Sequence, residues 1–192
     1  VRSTCTALGD MAEGWDTMVI APGLQDPIAM FSDCDFGQWA SSLTVNFTAQ
    51  MEVLHALLPL RAVTAEIVPS VILFAGGGTN SATVRYSAYT IAKIASIKMC
   101  ELLDAEMPDT KFTIIGPGWV KTKIHEQTLT AGEMAGGEYE RTQHKLSSDE
   151  CVPMEQVVSC VDWVIGQSRD VVGGRNISLV YDDWGSDELN TL

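Results

Sequence analysis

The 192-residue sequence is as informative in what it lacks as in what it holds. Its five cysteines, Cys5, Cys34, Cys100, Cys151 and Cys160, form no C-x-x-C pair, and their number is odd. A disulfide framework is therefore not expected, and a reducing, cytoplasmic setting is. His55, His125 and His144 stand at no metal-ligand spacing, which argues against a metal site. No apolar run reaches the roughly 18 residues of a membrane span. Val1-Arg2-Ser3-Thr4 does not open a signal peptide, and without an initial Met the chain is expected to be a processed or truncated piece. Twelve basic residues against 25 acidic ones, a net charge of −13, leave no basic stripe for a phosphate backbone, so no nucleic-acid partner is expected.

With 46% hydrophobic residues, the chain has enough apolar side chain for one core, and its length favours one domain over residues 1–192. Neither repeats nor low-complexity stretches interrupt it. Short β-branched runs alternate with longer helical patterns, which predicts an α/β fold around a parallel sheet. Thr17–Ala21 reads as a buried strand ended by Pro22-Gly23. Phe36, Trp39, Leu43, Phe47, Met51, Leu54 and Leu58 recur at helical steps, predicting a helix from about Asp35, its N-cap, to Leu60. Ser70–Phe74 is the second strand, broken off at Gly76-Gly77-Gly78, and a second long helix runs from about Tyr86 to Met107. Lys111–Ile115 is the third strand, closed by Gly116-Pro117-Gly118. Residues 121–150 are polar and irregular, too long for a plain connection, and predict a functional loop or short helices. A helix over Glu155–Gln167 and a last strand over Arg175–Tyr181 complete the order. In such sheets ligands bind beyond the carboxyl ends of the strands, and glycines there let a ligand approach the backbone.

Tyr89 and Lys93 are four residues apart on the second long helix and so share a face. A phenol titrates near pH 10, and a neighbouring ammonium favours its phenolate. Bringing the phenol to about 7 would take about 4 kcal/mol, a large demand on one charge. A Tyr-x-x-x-Lys spacing is weak alone, but here a glycine-rich strand end precedes it and a Pro-Gly turn follows it. Trp119 and Trp163 are expected to pack, and His125 to be an exposed loop residue.

Taken together, Tyr89-Thr90-Ile91-Ala92-Lys93, the loop Pro117-Gly118-Trp119-Val120-Lys121-Thr122, Asn46 in the first long helix, the turn Ile20-Ala21-Pro22-Gly23 and the end Gly174–Leu179 resemble the short-chain dehydrogenase/reductase family over nearly the whole chain. The resemblance implies a Rossmann-type sheet flanked by helices and lacking its first strands. It also implies hydride transfer between NAD or NADP and a small-molecule alcohol or carbonyl substrate. Tyr89 would be the proton donor in reduction and the base in oxidation, and Lys93 would lower the Tyr89 pKa and hold the ribose. Asn46 would bind a relay water through the helix backbone. Pro22, Gly23, Tyr89, Lys93, Pro117, Gly118, Val120 and Thr122 would contact the cofactor, with residues 123–150 as a lid. A homo-oligomer built through the two long helices is implied as well.

Two departures from the family pattern stand out. The family's serine, 13 or 14 residues before the tyrosine, is replaced by Gly76 or Ala75, with Thr79 or Ser81 as substitutes only if the loop folds inward. The loss of one such donor costs about 10²–10³ in rate. The glycine-rich phosphate loop is also missing, and Val1-Arg2-Ser3 resembles the segment just after the family's third strand. About 60 residues of the family pattern would then lie upstream, and their absence would leave a strand edge and an apolar face uncovered. A non-catalytic Rossmann-like scaffold is the alternative reading, and a sugar-nucleotide epimerase or dehydratase ranks last.

Overall fold

The computed structural model describes residues 7, 14–64, 66, 68–186 and 189. Expectations resting on Val1–Thr4 and on Cys5 lie outside these residues. Four strands form one wholly parallel sheet in the order β1-β2-β3-β4, with β1 Thr17–Ile20, β2 Ser70–Phe74, β3 Lys111–Gly116 and β4 Asn176–Ser178. Each crossover carries helices, as parallel pairing requires. The first holds α1 (Phe36–Leu43) and α2 (Ala49–Leu57), joined by a π-helical turn over Thr44–Thr48. The second holds α3 (Ser87–Glu106). The third holds α4 (His125–Ala131), α5 (Gly137–Ser147), α6 (Met154–Gly166) and the short α7 (Arg169–Val172). This is the parallel α/β architecture that the alternating pattern predicts, and the Rossmann-type sheet that the family resemblance implies.

Alternation along the strands sorts the core into two layers. Val71, Leu73, Phe112 and Ile114 face α2 and α3, where they meet Leu54, Cys100 and Leu103. Ile72, Ile115 and Ile177 face the other way, onto Val157, Cys160 and Val164 of α6 and Val172 of α7. The second layer thins toward β1, whose Val19 is 48% exposed and pairs in register with the buried Ile72. Among the described residues β1 has a neighbour on one side only.

Two elements differ from expectation. The first long helix is not continuous: Ala49 N–H donates to the carbonyl of Thr44, five residues back, instead of to Val45. The freed Val45 carbonyl accepts from the Gln50 side chain. The last strand stops at Ser178 rather than Tyr181. Ser178 Oγ accepts from the N–H of Val180 and Tyr181, and Asp182 accepts from Ser178 N–H, so the side chains capture the backbone in a turn. Asp35 caps α1 as predicted, accepting from Gln38 N–H at 2.7 Å.

Candidate active site

The carboxyl ends of β1, β2 and β3 lie side by side, and the loops that follow them carry the candidate residues. Tyr89 sits in the first turn of α3, which packs beside β2 and β3. The loop from β2 into α3 holds Arg85 in the left-handed region, φ 79°, and so turns the chain sharply into the helix. Lys93, one turn further, is 4% exposed. Its Nζ donates to the Phe74 carbonyl at 2.9 Å, at the last residue of β2, and lies 5.8 Å from the centroid of the Tyr89 ring. The helix thus brings the two side chains together at the end of β2.

Electrostatics at the pair run against the sequence expectation. Burial pushes the Tyr89 phenol up to about 12 and pulls the Lys93 ammonium down to about 8. In this state desolvation outweighs the attraction by which Lys93 was expected to lower Tyr89. The Tyr89 hydroxyl has no hydrogen-bond partner among the described residues. Thr79 is half-buried and Ser81 exposed, and neither bonds to it.

Asn46 is fully buried in the π-helical turn. Its Oδ1 accepts from Leu24 N–H at 2.8 Å, and its Nδ2 donates to the Leu24 carbonyl at 2.7 Å and the Ser42 carbonyl at 3.0 Å. The side chain is spent on fixing the loop after β1 and does not reach Tyr89 or Lys93. Pro22 is exposed, its carbonyl accepting from Gln50 Nε2 at 3.2 Å.

Residues 121–150 are short helices over the ends of β1 and β3. Ile124 Cδ1 would be 3.0 Å from a methyl group at Gly23, and Gln127 accepts from Gln25 N–H at 2.6 Å. A hydrogen-bonded chain, Gln25 Oε1, Thr128 Oγ1 and the Tyr86 hydroxyl, joins the β1 loop, α4 and the N-cap of α3 at 2.9 and 2.8 Å. Arg85 donates to the Met134 carbonyl at 2.7 Å. These segments share a small apolar cluster of Ile28, Tyr86 and Ala135. Nothing in the sequence marks this latch, because its members are 103 residues apart at the extreme.

His125 is a correction: it is 8% exposed, not an exposed loop residue. Its ring stacks on Trp119 at 4.6 Å, its Nε2 meets the Val120 carbonyl at 3.0 Å, and burial lowers its pKa. Arg141 lies over the same Trp119 ring, so Trp119 packs against α4 and α5. Trp163 packs against the second core layer. Val120 belongs to that layer too, while Thr122 is exposed just before α4 and Pro117 is half-buried. Gly118 is required twice over: its φ is +71°, and a methyl there would be 2.7 Å from Val180.

Among the described residues no group of His, Cys, Asp and Glu could hold a metal. No helix among them is long and apolar enough to cross a membrane. For a sugar hydroxyl the donor set is suitable. Lys93 gives Phe74 one of an ammonium's three donors, and the Tyr89 hydroxyl is unengaged.

Comparison with known proteins bears on the whole arrangement. The family model for short chain dehydrogenase matches residues 3–132. An uncharacterized oxidoreductase of Schizosaccharomyces pombe is 27% identical over 110 residues, which is 57% of this chain and 43% of that protein. The chain thus spans less than half the length of this curated relative. The crystal structure of the KRED1-Pglu enzyme superposes with a TM-score of 0.82 at 18% identity, over 92% of this chain and 75% of that one. NAD⁺-bound xylitol dehydrogenase superposes with a TM-score of 0.76 at 17% identity, over 92% and 72%. At these identities the likeness to solved structures is one of fold.

Proposed function

The chain belongs to the short-chain dehydrogenase/reductase family, and from that premise we propose that it is an NAD- or NADP-dependent oxidoreductase acting on a small alcohol or carbonyl substrate. The observation that carries the reading is the Tyr89 hydroxyl, unpartnered at the end of β2 and backed by Lys93, itself anchored on the Phe74 carbonyl. The name of the NAD⁺-bound xylitol dehydrogenase supports the choice of cofactor. The 192 residues act as one domain in this reading.

When bound, the nicotinamide supplies or accepts the hydride. The protein's own residues handle the proton and the orientation. Tyr89, held protonated well above neutral pH, is set up as the donor in carbonyl reduction. Its use as a base in alcohol oxidation requires the phenol to be brought down, and each unit costs about 1.4 kcal/mol. Lys93 binds the ribose hydroxyls with the donors that Phe74 leaves free. Asn46 fixes the β1 loop with its side chain and offers backbone to a relay water. Pro22, Gly23, Pro117, Gly118 and Thr122 line the cofactor's path, and Val120 supports it from the core. Helices α4 and α5 cover the substrate. Phe36, Val45, Ile91 and Ile94, exposed on the two long helices, support a homo-oligomer through them.

The test is carbonyl reduction with NADH or NADPH across a substrate panel, for the wild type and for Tyr89→Phe. The variant should fold normally and lose at least about 10² of the rate. A wild-type rate in Tyr89→Phe would sink the mechanism, and no turnover by either protein would favour the scaffold reading.

A further inference from the structure

Three glycines follow β2, and they differ in why they are glycine. Gly78 has φ +85°, a backbone requirement, and nothing lies within 4 Å of a methyl group at Gly77. Gly76 has no left-handed backbone, yet a methyl there would stand 2.5 Å from Tyr89 Oη, 2.8 Å from Tyr89 Cε1 and 2.8 Å from Lys93 Cγ. All three of its nearest atoms belong to the Tyr89–Lys93 pair. Retreat is limited for Lys93, because its Nζ is tied to the Phe74 carbonyl two residues before Gly76, so a side chain at position 76 would displace the unbonded Tyr89 hydroxyl.

We propose that Gly76 is a positioning residue for Tyr89 and Lys93: the space left by its missing Cβ is the seat of the phenol hydroxyl and the lysine stem. Its catalytic meaning rests on Tyr89 being the proton-transfer residue, whereas the seat itself does not. Position 76 therefore sets how deeply the phenol lies. A side chain there competes with Tyr89 for one space instead of adding a second donor beside it. Burial in this seat is the cause that holds the phenol up at about 12.

The experiment compares Gly76→Ala with Gly77→Ala in the full chain, reading nitration of Tyr89 by tetranitromethane at fixed pH through peptide mapping. The reagent attacks the phenolate, and each unit by which the phenol titrates lower raises that form about tenfold. Gly76→Ala should nitrate Tyr89 about tenfold faster or more, with Gly77→Ala matching the wild type and Tyr181, 89% exposed, unchanged throughout. An unchanged Tyr89 rate in folded Gly76→Ala overturns the proposal. If Gly76→Ala folds poorly, the double variant with Tyr89→Ala decides: recovery to the stability of Tyr89→Ala alone supports the seat, and an additive loss overturns it. Carbonyl reduction is assayed separately. Its absence in the wild type defeats the oxidoreductase reading while the nitration result still decides the seat.

Discussion

Two ionisable side chains that the sequence puts on one helical face turn out to be governed by burial. The i, i+4 spacing was enough to place Tyr89 beside Lys93, but spacing carries no information on solvent, and solvent decides the direction of both pKa values. The consequence for stability can be worked out. Folded Lys93 titrates at about 8, below the ordinary 10.5, so between those values the unfolded chain binds a proton that the folded one does not. Stability contributed at this site therefore rises with pH across that window. Tyr89 works the other way from its ordinary 10 upward, since the folded chain keeps a proton that the unfolded one loses. Urea unfolding between about pH 8 and pH 10 should show the wild type gaining relative to Lys93→Met, by up to about 3 kcal/mol. Parallel pH profiles for the two proteins would show that Lys93 is not held in a desolvated site.

At the scale of elements, the strands and α3 were legible because their apolar runs and glycine or proline ends are local signals. Ser70–Phe74 and Ser87–Glu106 match their predicted bounds to within a residue. The interruption of the first long helix was not legible. Its apolar period continues through Phe47, and Asn46 in the π-helical turn is tied to Leu24, 22 residues away. Asn46→Ala leaves both Leu24 backbone groups without their partner, and the expected loss is about 2–4 kcal/mol of unfolding free energy. Loss under about half a kcal/mol would mean the π-helical turn does not depend on this side chain. Residues 121–150 make a parallel case: their length and polarity predict a functional loop or short helices, and the structure has short helices, but the latch of Gln25, Thr128 and Tyr86 exists only once the chain is folded. Thr128→Val keeps the volume and removes both bonds. It should cost about 1–3 kcal/mol and speed proteolytic cleavage within residues 123–150. Unchanged cleavage would show that the lid is held by its apolar contacts alone.

For the whole molecule, a four-stranded parallel sheet explains why chemistry gathers where it does. Parallel strands end on one side, so loops distant in sequence meet there. The family motifs read from sequence, Tyr89 to Lys93 and Pro117 to Thr122, fall at two of those ends. The acidic balance of the sequence, 25 against 12, says nothing about that edge. Among the described residues β1 pairs on one side only, and its Val19 is exposed. What sequence could not supply was the state of the site: Tyr89 and Lys93 against Gly76, the lysine anchored on Phe74 and Ile124 against Gly23. All three are contacts between separate segments.

The claim that joins these scales is that Lys93 and Tyr89 form the floor of a nicotinamide site. Fluorescence titration of NADH and NADPH against the wild type and Lys93→Met tests it most directly. The account predicts saturable binding of at least one nucleotide, weakened about tenfold or more in Lys93→Met, as befits a lost charge-assisted hydrogen bond of roughly 1.5–3 kcal/mol. Binding of neither nucleotide, or equal binding by both proteins, would contradict it.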